Sequence, residues 1–390
     1  MARTTEEDRV QDHQDGLGAQ NSAAARPQAS RRDVTDMQAR LEAWIARQLP
    51  AGAEPRVSSL EVPAANGMSS ETVLFDATWR EGAGPRAVPL VARLAPEQSS
   101  VPVFPVYDLE RQFRVMREVA AATSVPVPRV YWSESDTGPL GVPFFVMERV
   151  TGQVPPDVMP YNFGSWVSEA SPADQARLQA STVGVLATLH GIPQAERTFD
   201  FLRSARSEPT ALRRHVASQW DFYQWVAGGV RSPLIERCFD WLEAHWPKDE
   251  GPTVLSWGDA RIGNVIYRDF EPVAVLDWEM AALGPRELDL AWLIFMHRFF
   301  EDLAGNMGLA GMPHFLRRDE IAATYASLTG HTPRDLDFYT MYAALRHGII
   351  MSRIQRRAIH FGEATMPDDV DDLIMHRATL EAMLAGTYWR

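Results

Sequence analysis

Three oxygen-bearing side chains stand close together in one segment, TVLSWGDARIGNVIYRDFEPVAVLDWE (253–279): Asp259, Asn264 five residues on, and Asp277. Val265–Arg268 and Val273–Leu276 read as two short apolar strands joined across Asp269–Pro272, a four-residue turn. In a straight hairpin Arg268 faces Val273, and the same register sets Asn264 opposite Asp277. An amide oxygen and a carboxylate would then meet at the open end, beside Asp259 in the loop that leads in. Such oxygens suit a hard divalent cation such as Mg²⁺, which takes few protein ligands and keeps waters and substrate phosphates. The same spacing also suits an ordinary hairpin whose Asn and Asp cap turns, and spacing alone does not choose.

The elements that must position this segment fall into two groups. A helix is expected from Thr35, with Gln38 completing a capping box and Met37, Leu41, Trp44, Ile45 and Leu49 on its apolar face. Strand patterns follow over Val57–Val62, Thr72–Trp79 and Val88–Leu94. A helix then spans Tyr107–Ala122, VPVPRVYW (125–132) reads as extended, and PFFVMERV (143–150) as a buried strand. Past Gly152 the pattern turns helical: Ala173–His190, Leu212–Val226, Leu234–Trp246, Arg286–Leu303, Asp319–Leu328, Asp335–His360 and Asp369–Leu384. The expected class is α+β and bilobal. Residues 1–31 form a polar, disordered tail, 32–150 a small β-rich N-lobe, and 151–390 a large helical C-lobe.

Composition removes several function classes. The 390 residues carry 38 Lys+Arg against 51 Asp+Glu, a formal net charge of −13, so nucleic acid is not an expected partner. A lone cysteine, Cys238, rules out an internal disulfide and a cysteine-clustered zinc site and fits a reducing compartment. No apolar signal core opens the chain, and the richest apolar stretch, Leu290–Met296, is far short of the roughly 20 residues that span a bilayer. A soluble, cytoplasmic protein without a membrane partner is the expectation. Lys248 is the only lysine, so any chemistry that needs a lysine elsewhere is excluded.

WGDARIGN (257–264) followed by LDWE (276–279) resembles the catalytic loop and metal motif of the aminoglycoside phosphotransferase/choline kinase family, whose members have the protein-kinase-like fold. VPVPRV (125–130), FFVMERVTG (144–152), Leu189-His190 and GPRELDLAW (284–292) extend the resemblance over about residues 33–385, closest to the phosphotransferase domains attached to some acyl-CoA dehydrogenases. It implies an ATP- and Mg²⁺-dependent transfer of the γ-phosphate to a hydroxyl of a small molecule. Asp259 would be the catalytic base. Arg261 would face the γ-phosphate, and Asn264 and Asp277 would hold Mg²⁺. Asp289 would brace the loop. NGMSSET (66–72), with Ser69 and Ser70, would cover the phosphates, and Met147, Glu148, Arg149 and Val150 would receive adenine through backbone groups.

Two departures from the family pattern stand out. Trp257 replaces the usual His of the loop; an indole packs and donates one hydrogen bond but cannot accept. Arg93 occupies the strand position of the lysine that normally grips the α/β-phosphates, and its helix partner would be Glu110, unless the register brings Gln112 there. For the acceptor, Asp157, Glu301, Asp302, Asp368, Asp369, Asp371 and Asp372 could meet a polycationic aminoglycoside. Arg353, Arg356 and Arg357, at i, i+3, i+4, could meet an anionic one such as a hydroxyacyl-CoA, or form a solvated basic face. The departures also motivate the alternative of a nucleotide-binding pseudokinase with a regulatory role.

Overall fold

A computed structural model describes residues 34–63, 70–82, 84–96 and 101–389. The expected tail at 1–31 lies outside these residues, as do Ser69 and most of the loop before it.

The N-terminal part is a five-stranded antiparallel sheet in the order β1-β2-β3-β5-β4: β1 Arg56–Val57, β2 Glu71–Glu81, β3 Gly84–Leu94, β4 Val130–Glu134 and β5 Phe144–Glu148. Alternation makes it two-faced, for Val73, Phe75, Ala77 and Trp79 of β2 are all buried. Helix α1 (Val34–Gln48) covers that face with Met37, Leu41, Trp44 and Ile45. The capping box does not form. Thr35 lies inside the helix, and the Gln38 amide donates instead to the Val57 carbonyl at 2.8 Å, tying α1 to β1. On the other face lies α2 (Leu109–Ala122), capped by the Asp108 carboxylate accepting from the Arg111 amide. Its residues Phe113, Met116 and Val119 belong to the same core as the helical part, so the two lobes of the chain share one continuous interior.

That helical part comprises α3 Pro172–His190, the short α4 Ala195–Thr198, α5 Ala211–Ala227, α6 Pro233–Ala244, α7 Glu287–Asn306, α8 Arg318–Thr329, α9 Leu336–His360 and α10 Arg377–Leu384. The expected helix at 369–384 is broken. The Asp369 carboxylate accepts from the Asp371 amide, and Val370–Leu373 tightens into a 3₁₀ turn. Asp371 is then buried against Ser232 and the Leu234 amide at the start of α6. Between α6 and α7 come β6 Val254–Ser256, paired with β9 Ala282–Gly284, and the hairpin β7 Val265–Arg268/β8 Glu271–Val275.

The hairpin register differs from the expected one. Asp269 and Phe270 both take φ > 0 (+53° and +62°), so the connection is a two-residue turn of the mirror-image kind that matches strand twist. Arg268 therefore pairs with Glu271, not Val273, and a bulge follows between Ile266 and Tyr267. At the open end the Leu276 amide donates to the Asn264 carbonyl, which makes Leu276 the residue opposite Asn264 and puts Asp277 one step beyond.

Candidate active site

The loop joining β6 to β7 is held from beneath by a single carboxylate. Asp289, in the first turn of α7, is almost fully buried and accepts from the Ser256 hydroxyl (2.7 Å), the Trp257 and Gly258 amides (2.7 and 2.9 Å) and His190 Nε2 (3.1 Å). Burial alone would push the Asp289 carboxyl up; the His190 contact and these donors outweigh it and bring it below the usual carboxylate range. His190 Nδ1 meets the Tyr325 hydroxyl at 2.8 Å, so its role is support of the loop from a buried position. Gly258 takes φ +91°, and a Cβ there would run into the Met280 carbonyl. Only glycine lets the loop lie that close to the turn after Asp277.

Trp257 is fully buried, donates from Nε1 to the Leu276 carbonyl at 2.8 Å, and has its ring 5.9 Å from that of Trp278. The indole thus ties the β6–β7 loop to the strand end that carries Asp277, using the one hydrogen bond it can make.

Around this frame the residues expected to do chemistry converge. The Asp259 carboxylate accepts from Arg261 Nε (3.1 Å to each oxygen), Asn264 Nδ2 (2.7 Å) and Trp292 Nε1 (2.7 Å). The amide nitrogen of Asn264 is spent on Asp259, so the amide oxygen is the group it can offer to a cation. Arg261 also binds Asp157; burial would depress its basicity, but Asp259 and Asp157 together raise it well above the ordinary value. Asp277 stands in a left-handed backbone conformation (φ +57°) with Arg93 Nη2 3.6 Å from its Oδ1. Burial raises its affinity for a proton, the Arg93 charge opposes this, and neighbouring Asp259 adds to it. Arg93 also donates to the Thr72 hydroxyl at 3.1 Å, its cross-strand neighbour on β2.

This donor set fits Mg²⁺. Asp277 Oδ1 is buried without a hydrogen-bond donor, and the Asn264 oxygen and the Asp259 carboxylate are hard ligands. Among the described residues no group of three or more His, Cys, Asp or Glu could hold a metal ion.

Not every expected contact forms. Glu110 is exposed and accepts from Ser133 on β4, and the cation of β3, Arg93, pairs with Asp277 instead. Ser70 stands just before β2, buried, with a hydroxyl that makes no hydrogen bond among the described residues. At the end of β5, Met147 is buried. The Glu148 and Arg149 amides donate to the Arg129 and Pro89 carbonyls (2.8 and 3.0 Å), so those two N–H groups serve the sheet. Val150 follows directly.

The acceptor candidates are mostly occupied as well. Asp157 is paired with Arg261, Glu301 with Asn162 and the Met312 amide, and Asp302 with Arg298, Thr379 and Tyr388. Asp369 and Asp372 bind Arg377. The arginine set on α9 is neither a free anion site nor a solvated face. Arg353 donates twice to the Pro102 carbonyl and stacks on Trp225, Arg356 donates to the Val230 carbonyl, and Arg357 lies over Phe361. Arg346 is buried, stacked on Trp292 (4.6 Å), with Nη2 3.3 Å from the Gly258 carbonyl. Trp292, Arg346 and Thr72 escape sequence reasoning. Trp292 was the accessible one, since it follows Asp289 by three residues on α7 and so shares its face.

The Phosphotransferase enzyme family (APH) matches residues 62–323. Acyl-CoA dehydrogenase family member 10 of Mus musculus is 26% identical over 280 residues, which is 69% of this chain and 24% of that protein. Acyl-CoA dehydrogenase family member 11 of Gallus gallus is 30% identical over 199 residues, 49% of this chain and 23% of that protein. The chain thus spans about a quarter of the length of these curated relatives. Among solved structures, a Ralstonia eutropha protein assigned by resemblance to the aminoglycoside phosphotransferases superposes with a TM-score of 0.63 at 21% identity, over 90% of this chain and 98% of that one. ADP-bound aminoglycoside phosphotransferase APH(2'')-Ib gives 0.53 at 12% identity, over 89% and 97%. These superpositions establish the protein-kinase-like fold, with its sheet lobe and helical lobe. With more than half of its length matched by one family, the chain belongs to the phosphotransferase enzyme family.

Proposed function

We propose that the chain moves the γ-phosphoryl group of ATP to a hydroxyl group of a small molecule with Mg²⁺ bound. The observation that carries this reading is the meeting of Asp259, Arg261, Asn264, Asp277 and Arg93, from three separated stretches of chain, in one linked set of side chains. Asn264 and Asp277 would hold Mg²⁺, which would supply positive charge to offset that of the phosphates in a loose, largely dissociative transfer. Asp259, fixed by Trp292 and Asn264, orients the acceptor hydroxyl and takes its proton as the O–P bond forms. Arg261 supplies a fixed cation near the departing phosphoryl group. Arg93 exchanges Asp277 for the α/β-phosphates when nucleotide enters; its planar fork suits phosphate oxygens where the family uses a lysine. Ser70 offers an unused hydroxyl beneath the same phosphates, and adenine would rest against the backbone from Met147 to Val150.

The neutralised carboxylates argue against a polycationic acceptor, although two structural neighbours are named for aminoglycosides. Acyl-CoA dehydrogenase relatives make hydroxyacyl-CoA compounds the natural counter-candidates. The buried lone cysteine, Cys238, fits a cytoplasmic setting. The test is transfer from γ-labelled ATP, screened across aminoglycosides, amino alcohols and hydroxyacyl-CoA compounds. Label on any acceptor supports the reading. Nucleotide binding with no ADP formed and no acceptor labelled would turn it to the regulatory pseudokinase.

A further inference from the structure

Asp157 stands on a segment pinned at both ends. Before it, Gln153 exchanges two 2.8 Å backbone hydrogen bonds with Tyr267, and Gly152 packs so closely on β7 that a Cβ would strike Ile266 and the Tyr267 carbonyl. After it, the Tyr161 hydroxyl meets His297 Nδ1 at 2.9 Å, and Asn162 donates to the Phe300 carbonyl (3.0 Å) and Glu301 (2.7 Å). Between these anchors Val154, Val158 and Met159 face solvent, yet Asp157 reaches back to Arg261. The contact sits on Gly263, where an added Cβ would collide with Asp157 Oδ1 and lie 2.7 Å from Arg261 Nη1. A glycine in the catalytic loop therefore makes room for this pair.

We infer that Asp157 is a positioning residue of the phosphoryl transfer, an inference that rests on the reaction proposed above. Arg261 lies between two carboxylates, with Nε on both oxygens of Asp259 and Nη1 on Asp157. Arginine binds a single carboxylate best through two parallel N–H groups. Without Asp157 the guanidinium turns wholly onto Asp259, covers the oxygen lone pairs that must receive the acceptor proton, and leaves the phosphoryl path. Asp157 prevents this by holding the outer nitrogen of the fork. Its effect falls on the chemical step, because Arg93 and the metal ligands carry ground-state nucleotide binding.

Steady-state Mg-ATP turnover in the intact protein, with water or any acceptor found by the screen, tests this. Asp157→Asn is expected to lower kcat at least about tenfold while KM for ATP changes by less than about threefold, the signature of an interaction made in the transition state. Asp157→Glu restores most of the rate. Gly263→Ala, which removes no functional group but wedges the pair apart, lowers kcat similarly, and the double variant is no slower than either single one. A kcat for Asp157→Asn within about twofold of wild type, a loss confined to KM or to the folded fraction, or fully additive effects of the two substitutions would each overturn the proposal while Asp259→Ala remains inactive. Absence of turnover from the wild type itself removes the phosphotransferase reading, and this inference with it.

Discussion

Replacing Asp289 by Asn removes one acceptor oxygen from the base of the β6–β7 loop and leaves the side-chain shape unchanged. Each carboxylate oxygen accepts two hydrogen bonds, Oδ1 from Ser256 and Gly258 and Oδ2 from Trp257 and His190. The new NH₂ group faces two donors. On the Oδ2 side His190 can change tautomer and accept, but the Trp257 amide cannot, and it stays buried without a partner. Losing one charge-assisted hydrogen bond costs about 1.5–3 kcal/mol and an unsatisfied buried amide about 1–3 kcal/mol more, so a destabilisation of about 3–5 kcal/mol is expected. At about 2.1 cal/mol/K of unfolding entropy per residue, a chain of this length should melt about 4–6 °C lower. Differential scanning calorimetry measures the shift, and Mg-ATP turnover measured well below the melt should fall with it, because Gly258 and Asp259 lose their footing. A melt within about 1 °C of wild type, with turnover intact, would refute the claim that Asp289 holds the loop.

Gly258→Ala should abolish turnover and destabilise by more than about 2 kcal/mol in urea titration, since the new Cβ meets the Met280 carbonyl and the backbone is left-handed. Arg93→Ala should weaken ATP binding strongly by calorimetric titration; it should also lower the melt in EDTA more than in Mg-ATP, because Asp277 then keeps its buried charge unpaired. Arg93→Lys, which installs the family residue, should retain binding, and loss as severe as in Arg93→Ala would argue that the strand needs the guanidinium fork. Burial pushes several histidines down, among them His215 and His297 to about 3 and His376 to about 4, with the Arg346 charge also acting on His215. The unfolded chain binds these protons near pH 6.5 and the folded chain does not, so stability is full above that pH and falls below it. Three such groups remove about 4 kcal/mol between pH 7.5 and 5.5, read from urea midpoints; equal midpoints would contradict it.

Much of the architecture was legible because periodicity reports burial, and the segment from Trp257 to Glu279 stood out through its resemblance to a family motif, since its residue types and spacing alone also suit an ordinary hairpin. What escaped were the partners. The turn at Asp269–Phe270 is left-handed without a glycine, so nothing in the residue types signals the two-residue connection that shifts the hairpin. Glu110 stands at the right distance along α2 to meet Arg93, but which way a helix faces is decided by packing, and Ser133 claims it. The acidic residues assigned to an acceptor and the arginines of α9 read from sequence as available charges. In the fold nearly all are consumed by Arg377, Arg261, Asn162 or backbone carbonyls. Charge can be counted in a sequence; whether it is already neutralised depends on contacts made in the fold, some between residues more than a hundred positions apart and some within ten.

Asp259 and Asp277, set beside Arg93, are proposed to support phosphoryl transfer from ATP. Mg²⁺-dependent release of ADP, measured side by side for wild type, Asp259→Ala and Asp277→Ala, tests it most directly. The wild type should turn over, and that turnover should disappear on chelation and in both variants. Equal background release from all three proteins, with or without Mg²⁺, would contradict it.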